Sequence, residues 1–128
     1  MHQSSLDKMT SFVSRYLGND NEDIRTVLDF GSQDVNGSYR KLFPGDKWKY
    51  LGLDLEAGVN VDLVPQDLYN WEEIASDSID VVISGQALEH TEFFWLVFEQ
   101  FERVLKPQGL CCVIAPSSGP EHRYPQDC

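Results

Sequence analysis

The residues able to do chemistry stand mostly at the polar ends of apolar runs. Val27-Leu28-Asp29-Phe30-Gly31 closes one run on a glycine, and Ser32-Gln33-Asp34-Val35-Asn36-Gly37 continues it as a polar loop. A glycine there lets backbone approach a ligand closely, because it has no Cβ. Loop N–H groups and a following helix N-terminus can then face that ligand. Lys49-Tyr50-Leu51-Gly52-Leu53-Asp54 ends a second run in an acid, about 20 residues after the glycine, the spacing of a ribose-binding carboxylate. One carboxylate can accept from two vicinal hydroxyls; the alternative is a solvated acid at a strand end. Asp67 follows the run Val59 to Val64, and Ser84-Gly85 closes the run Ile79 to Ser84. All of these would meet at the carboxyl ends of neighbouring strands, where open α/β sheets bind ligands. Leu88-Glu89-His90 comes next. His90 is a candidate general base because imidazole titrates near neutrality, and packing at a helix start is its stronger alternative. The glycine fingerprint of dinucleotide sites, G-x-G-x-x-G, fails here, since Gln33 and Asn36 occupy its second and third glycine positions.

Positioning these residues requires alternating strands and helices. Leu6, Met9, Phe12, Val13, Tyr16 and Leu17 recur at helical spacing, which predicts an amphipathic helix over 5–17 laid on the domain or over its ligand cleft. Strands are expected at 24–30, 49–54, 59–64, 79–84 and 110–115. The first and last are apolar without strict alternation, as in strands buried on both faces. A short helix is expected at 38–43, a helical turn over Trp71 to Ile74, and a long helix from Glu92 to Leu105, stopped by Lys106-Pro107-Gln108-Gly109. In that long helix Phe94, Leu96, Val97, Phe98, Phe101, Val104 and Leu105 form the apolar stripe, while Phe93 and Trp95 lie off it. The pattern implies an α/β, Rossmann-like doubly wound, mostly parallel sheet of order 3-2-1-4-5 with helices on both faces. One domain is expected over 1–128, with an N-terminal helix in 1–22, a core in 23–116 and a tail in 117–128.

Composition narrows the function classes. The chain has 128 residues and a formal net charge of -11, which disfavours a nucleic-acid surface or an anionic membrane. Three cysteines, Cys111, Cys112 and Cys128, form no C-x-x-C pair, so neither a zinc site nor a redox motif is expected. Reduced, buried thiols in a cytoplasmic protein are expected instead, with adjacent Cys111 and Cys112 on opposite faces of a strand. The first residues are polar and read as no signal peptide, and no apolar run is long enough for a membrane span.

Taken in order, Val27-Leu28-Asp29-Phe30-Gly31, Leu53-Asp54, Ser78-Ile79-Asp80-Val81-Val82-Ile83-Ser84, Leu88-Glu89-His90 and Arg103-Val104-Leu105-Lys106-Pro107-Gln108-Gly109 resemble the class I S-adenosylmethionine-dependent methyltransferases, in particular the methyltransferase type 11 group. The resemblance implies S-adenosyl-L-methionine as cofactor. It places Asp29, Gly31 and Ser32 around the methionine part, Asp54 and Leu55 at the ribose, Asp67 and Leu68 at the adenine, and Ser84 and Gly85 near the sulfonium. It assigns no catalytic residue beyond the candidate His90, and no metal. The family usually carries a second glycine where Gln33 stands, and continues past strand five into a helix and an antiparallel strand pair. This chain reads either as a truncated piece or as a natural minimal form, and in both cases an open edge is expected, covered by a homodimer or a swapped assembly.

Three functions follow as expectations. One is methyl transfer to a small-molecule or glycan-type acceptor. Another is S-adenosylmethionine binding without turnover. The third is an NAD-dependent oxidoreductase, against which the failed glycine fingerprint and the Leu-Glu-His element weigh.

Overall fold

The computed structural model describes residues 3–17, 23–34, 37–85 and 91–114. Four parallel strands form one sheet: β1 (Arg25–Phe30), β2 (Trp48–Leu53), β3 (Ile79–Gly85) and β4 (Leu105–Ile114), in the order β2-β1-β3-β4. Helix α1 (Gln3–Tyr16) precedes the sheet and α2 (Phe94–Val104) leads into β4. Register brings the strand ends level. Phe30 pairs with Leu53, Asp29 with Ile83, and Gly85 with Ile114.

The sheet is covered on both faces, as its apolar strands require. On one face Leu28, Phe30, Val82, Cys111 and Val113 pack with Val97, Phe101 and Val104 of α2 and with Trp71 and Ile74. On the other, Val27, Val81, Ile83, Cys112 and Ile114 pack with Met9 and Phe12 of α1 and with Tyr39, Phe43 and Trp48. The adjacent cysteines thus fall on opposite faces, as the period of two along a strand demands. Cys112 keeps a free, buried thiol, pushed up to about 11 by burial. Cys111 is disulfide-bonded, so the expectation of reduced thiols fails at that residue.

Helix α1 runs against the strand direction. Its last turn is tied to the start of β1 by the Arg25 guanidinium, which donates to the Leu17 carbonyl at 3.2 Å. Its first turn therefore lies toward the carboxyl ends of the strands.

Several expected elements differ. The third strand reduces to one bridge, Leu63 with Leu53, outside β2, so the order 3-2-1-4-5 survives as four strands and a bridge. The reason is local: Asn60 takes a φ of 71°, which breaks an extended run, and Pro65 has no N–H for a ladder. The helix at 38–43 is a single 3-10 turn, Arg40–Leu42, because the stretch before Pro44 is too short to nucleate a longer helix. Trp71 to Ile74 is a single turn, as expected, in which the Ile74 N–H donates to the Trp71 carbonyl at 3.1 Å. The Lys106–Gly109 stop lies within β4 as an irregularity. Ile79 pairs with Leu105 and Val81 with Leu110, and Gln108 has a φ of 69°. Phe94, assigned to the stripe of α2, is exposed together with Phe93 and Trp95. Among the described residues no helix is long and apolar enough to cross a membrane.

Candidate functional site

At the carboxyl end of β1 the chain turns at Gly31, whose φ of 79° suits a residue without Cβ. The turn is held by the Leu53 carbonyl, which accepts from the N–H groups of Gly31 (2.8 Å) and Ser32 (3.1 Å). The loop after β1 thereby lies across the tip of β2. There the Gln33 N–H donates to Oδ2 of Asp54 at 2.8 Å, and the Leu55 N–H donates to Oδ1 at 2.7 Å. Each oxygen of a carboxylate keeps further acceptor capacity after one such bond. Gln33 achieves this contact without a positive φ, so its donor role needs no second glycine.

Asp29 is buried at 3% exposure, one residue before the end of β1. The Tyr50 phenol on β2 donates to its carboxylate. Burial pushes the Asp29 carboxyl up to about 7; the Tyr50 bond opposes this, the charge of Asp54 adds to it, and that of Arg40 counters it. Tyr50 is itself pushed well above the usual phenol range, first by burial and then by the Asp29 charge.

A polar clasp closes the outer side. Ser32 Oγ donates to the Asn60 carbonyl at 2.8 Å, and Asn60 Nδ2 donates to the Ser32 carbonyl at 2.9 Å and to the Tyr50 hydroxyl at 3.3 Å. Arg40 donates to Asp62 at 2.8 Å and lies 4.2 Å over the Tyr50 ring. These residues border a depression of about 710 Å³ lined in part by Ser38, Arg40, Asn60 and Asp62.

The structure thus brings Asp29, Gly31, Ser32, Asp54 and Leu55 together at adjoining strand ends, with Gly85 on the next strand. Ser84 is fully buried, and its hydroxyl donates to the Phe30 carbonyl at 3.0 Å, which ties β3 to β1. Its hydroxyl is therefore taken up by the contact with β1. Asp67 accepts from the Tyr69 N–H at 2.8 Å and lines a separate depression of about 360 Å³ with Gln66, Asn70, Glu72 and Glu73. Leu68 lies beside it, its carbonyl accepting from the Trp71 indole at 2.6 Å. Glu89 and His90 lie outside the described residues, as does the rest of the Leu-Glu-His element. Among the described residues no group of His, Cys, Asp and Glu is placed to hold a metal ion.

The sequence reading missed Tyr50, Asn60, Arg40 and Asp62. Their only local signal is a tyrosine inside an otherwise apolar run; their partners are far off in the chain.

A family model described as a methyltransferase domain matches residues 28–113. No curated protein sequence matches the chain. Among solved structures, a SAM-dependent methyltransferase from Aquifex aeolicus superposes with a TM-score of 0.62 at 17% identity, covering 98% of this chain and 78% of that one. The YcgJ protein from Bacillus subtilis gives 0.65 at 18%, covering 88% and 50%. A Haemonchus contortus phosphoethanolamine N-methyltransferase, solved with phosphomonomethylethanolamine and S-adenosylhomocysteine, gives 0.61 at 18%, covering 83% and 27%. At such identities the likeness is one of fold. The chain spans 55% of the length of another such match and 34% of a third.

Proposed function

The chain belongs to the methyltransferase-domain family, and from that membership we propose that it binds S-adenosylmethionine at the carboxyl ends of β1, β2 and β3 and transfers its methyl group to a small-molecule acceptor. The observation that carries the reading is the Gly31 turn, which sets the Gln33 N–H on Asp54 and presents that carboxylate at the strand tip.

The residues present fit such a ligand. Asp54, with acceptor capacity beyond its two backbone bonds, suits the paired hydroxyls of a ribose. Asp29, a buried acid one residue before the end of β1, suits the positive charge of an amino acid group, and a cation beside it would favour its ionised form. Bound there, S-adenosylmethionine would supply an electrophilic methyl group on a sulfonium. The chain's own work is then to hold donor and acceptor in line and to keep water out. A side-chain base is needed only where the acceptor must lose a proton.

Calorimetric titration with S-adenosylhomocysteine tests this. Saturable binding is expected, weakened by about 1–3 kcal/mol in Asp54→Ala, the value of hydrogen bonds to a charged group. NAD is expected to give no heat of binding. Failure of the wild-type chain to bind at millimolar S-adenosylhomocysteine would overturn the reading. Binding without turnover over a panel of amine, hydroxyl and thiol acceptors would leave a cofactor-binding domain.

A further inference from the structure

The carboxyl end of β3 has no side chain of its own at position 85. A Cβ built on Gly85 would stand 1.9 Å from the Tyr39 hydroxyl and 2.7 Å from the Tyr39 ring. Tyr39, which comes from the loop after β1, therefore fills the space that a residue on β3 would otherwise take. It is 4% exposed. Its surroundings include Asp29 on β1 and Cys112 on β4, so it stands where three strand ends and the loop converge.

Tyr39 packs in one cluster with Met9 and Phe12 of α1, and the Ser5 hydroxyl of that helix is among the groups around its phenol. Ser5 is 2% exposed and shares a face with Met9 and Phe12, at a spacing where packing alone would favour an apolar side chain. A hydroxyl buried there is better tolerated beside another polar group, and the Tyr39 phenol is such a neighbour. The direction of α1 puts this contact at its first turn, over the strand ends, and not at its last turn beside Arg25.

We propose that Tyr39 is a positioning residue of the methyl-donor cleft, which acts by seating the first turn of α1 against the bare end of β3. The proposal rests on the donor reading given above. A ligand lying at Gly85 would then rest against a wall made by Tyr39 and backed by α1. Ligand and helix would share one support. By the reciprocity of linked equilibria, whatever tightens one tightens the other.

The test combines calorimetry with hydrogen exchange, using S-adenosylhomocysteine as the probe on the full chain. In the wild type, saturating ligand is expected to slow amide exchange in the first two turns of α1 by about 10-fold. Tyr39→Phe keeps the ring and removes only the hydroxyl that stands over Gly85, and Ser5→Ala removes the helix hydroxyl beside it. Each is expected to weaken ligand binding about 10-fold and to abolish the ligand-induced protection of α1. Thr10→Ala, on the exposed face of the same helix, is expected to change neither. A merely structural role for Tyr39 would lower the unfolding midpoint of both variants and leave affinity and protection as in the wild type; that result overturns the proposal. Should Tyr39→Phe not fold, Ser5→Ala decides alone. If the wild type does not bind at all, the donor reading falls and takes this proposal with it. Wild-type binding with unaltered variants sinks the Tyr39 role and leaves the donor site standing.

Discussion

Asp29→Asn is expected to gain stability over the wild type as the pH rises from about 4 to about 7, with the difference reaching on the order of 4 kcal/mol and then levelling off. In the folded chain the Asp29 carboxyl is pushed up to about 7 from an ordinary 3.8, chiefly by burial. Between those two values the folded state holds a proton that the unfolded state has released. Stability contributed by this group is therefore complete below about pH 4 and is lost as the pH rises through 7. Asparagine does not titrate, and its carbonyl can still accept from Tyr50, so the comparison isolates the one ionisation. Urea unfolding of both proteins at several values between pH 4 and 8 measures it. A difference that stays flat over that window would show that Asp29 ionises equally in the folded and unfolded chains. The functional corollary is that a cationic ligand should bind more tightly above neutrality, where the buried acid is already charged.

Trp71→Ala is the substitution expected to destabilise the chain most, by about 4 kcal/mol, as for other large aromatic truncations in a core. Trp71 is fully buried and is the largest such side chain. Its ring stacks on Phe30 at 5.8 Å and tilts against Phe101 at 5.8 Å, joining β1 to α2. Its indole N–H donates to the Leu68 carbonyl, its backbone N–H donates to the Gln100 side-chain oxygen at 2.9 Å, and its own carbonyl accepts from Arg103 at 2.6 Å. The truncation would thus open a cavity and free the turn that carries Asp67 and Leu68. Trp71→Phe, which keeps much of the volume and loses the N–H, is expected to cost less than half as much. Urea midpoints at constant slope read both effects. A loss under about 1 kcal/mol for Trp71→Ala would show that the surrounding side chains collapse into the space, contrary to the close packing described.

The strands β1, β2 and β3 were legible because each is a local, largely apolar run ended by a glycine or an acid, and burial on both faces of a parallel sheet writes that pattern directly into the chain. Gly31 and Asp54 were legible for the same reason: a tight turn and a strand tip are properties of their own neighbourhood. The strand expected at 59–64 was misread, since Val59 to Val64 has the composition of a strand while Asn60 prefers to turn and bond Ser32 and Tyr50. The helix at 38–43 was likewise misread, because Tyr39 and Phe43 are apolar contacts of a short turn and not one face of a longer helix.

By itself, then, the sequence determined the order of the elements, the face each apolar residue seeks, and the loop and acid of the expected cofactor site. Register decided the rest. Tyr50 meets Asp29 because β2 lies parallel to β1 with Val27 opposite Tyr50 and Asp29 opposite Gly52. Tyr39 meets Gly85 and Ser5 because a loop, a strand and a helix far apart in the chain converge on one end of the sheet. Such pairings depend on strand register and helix placement, which are set by the packing of the whole core and leave no periodic trace in the residues that make them.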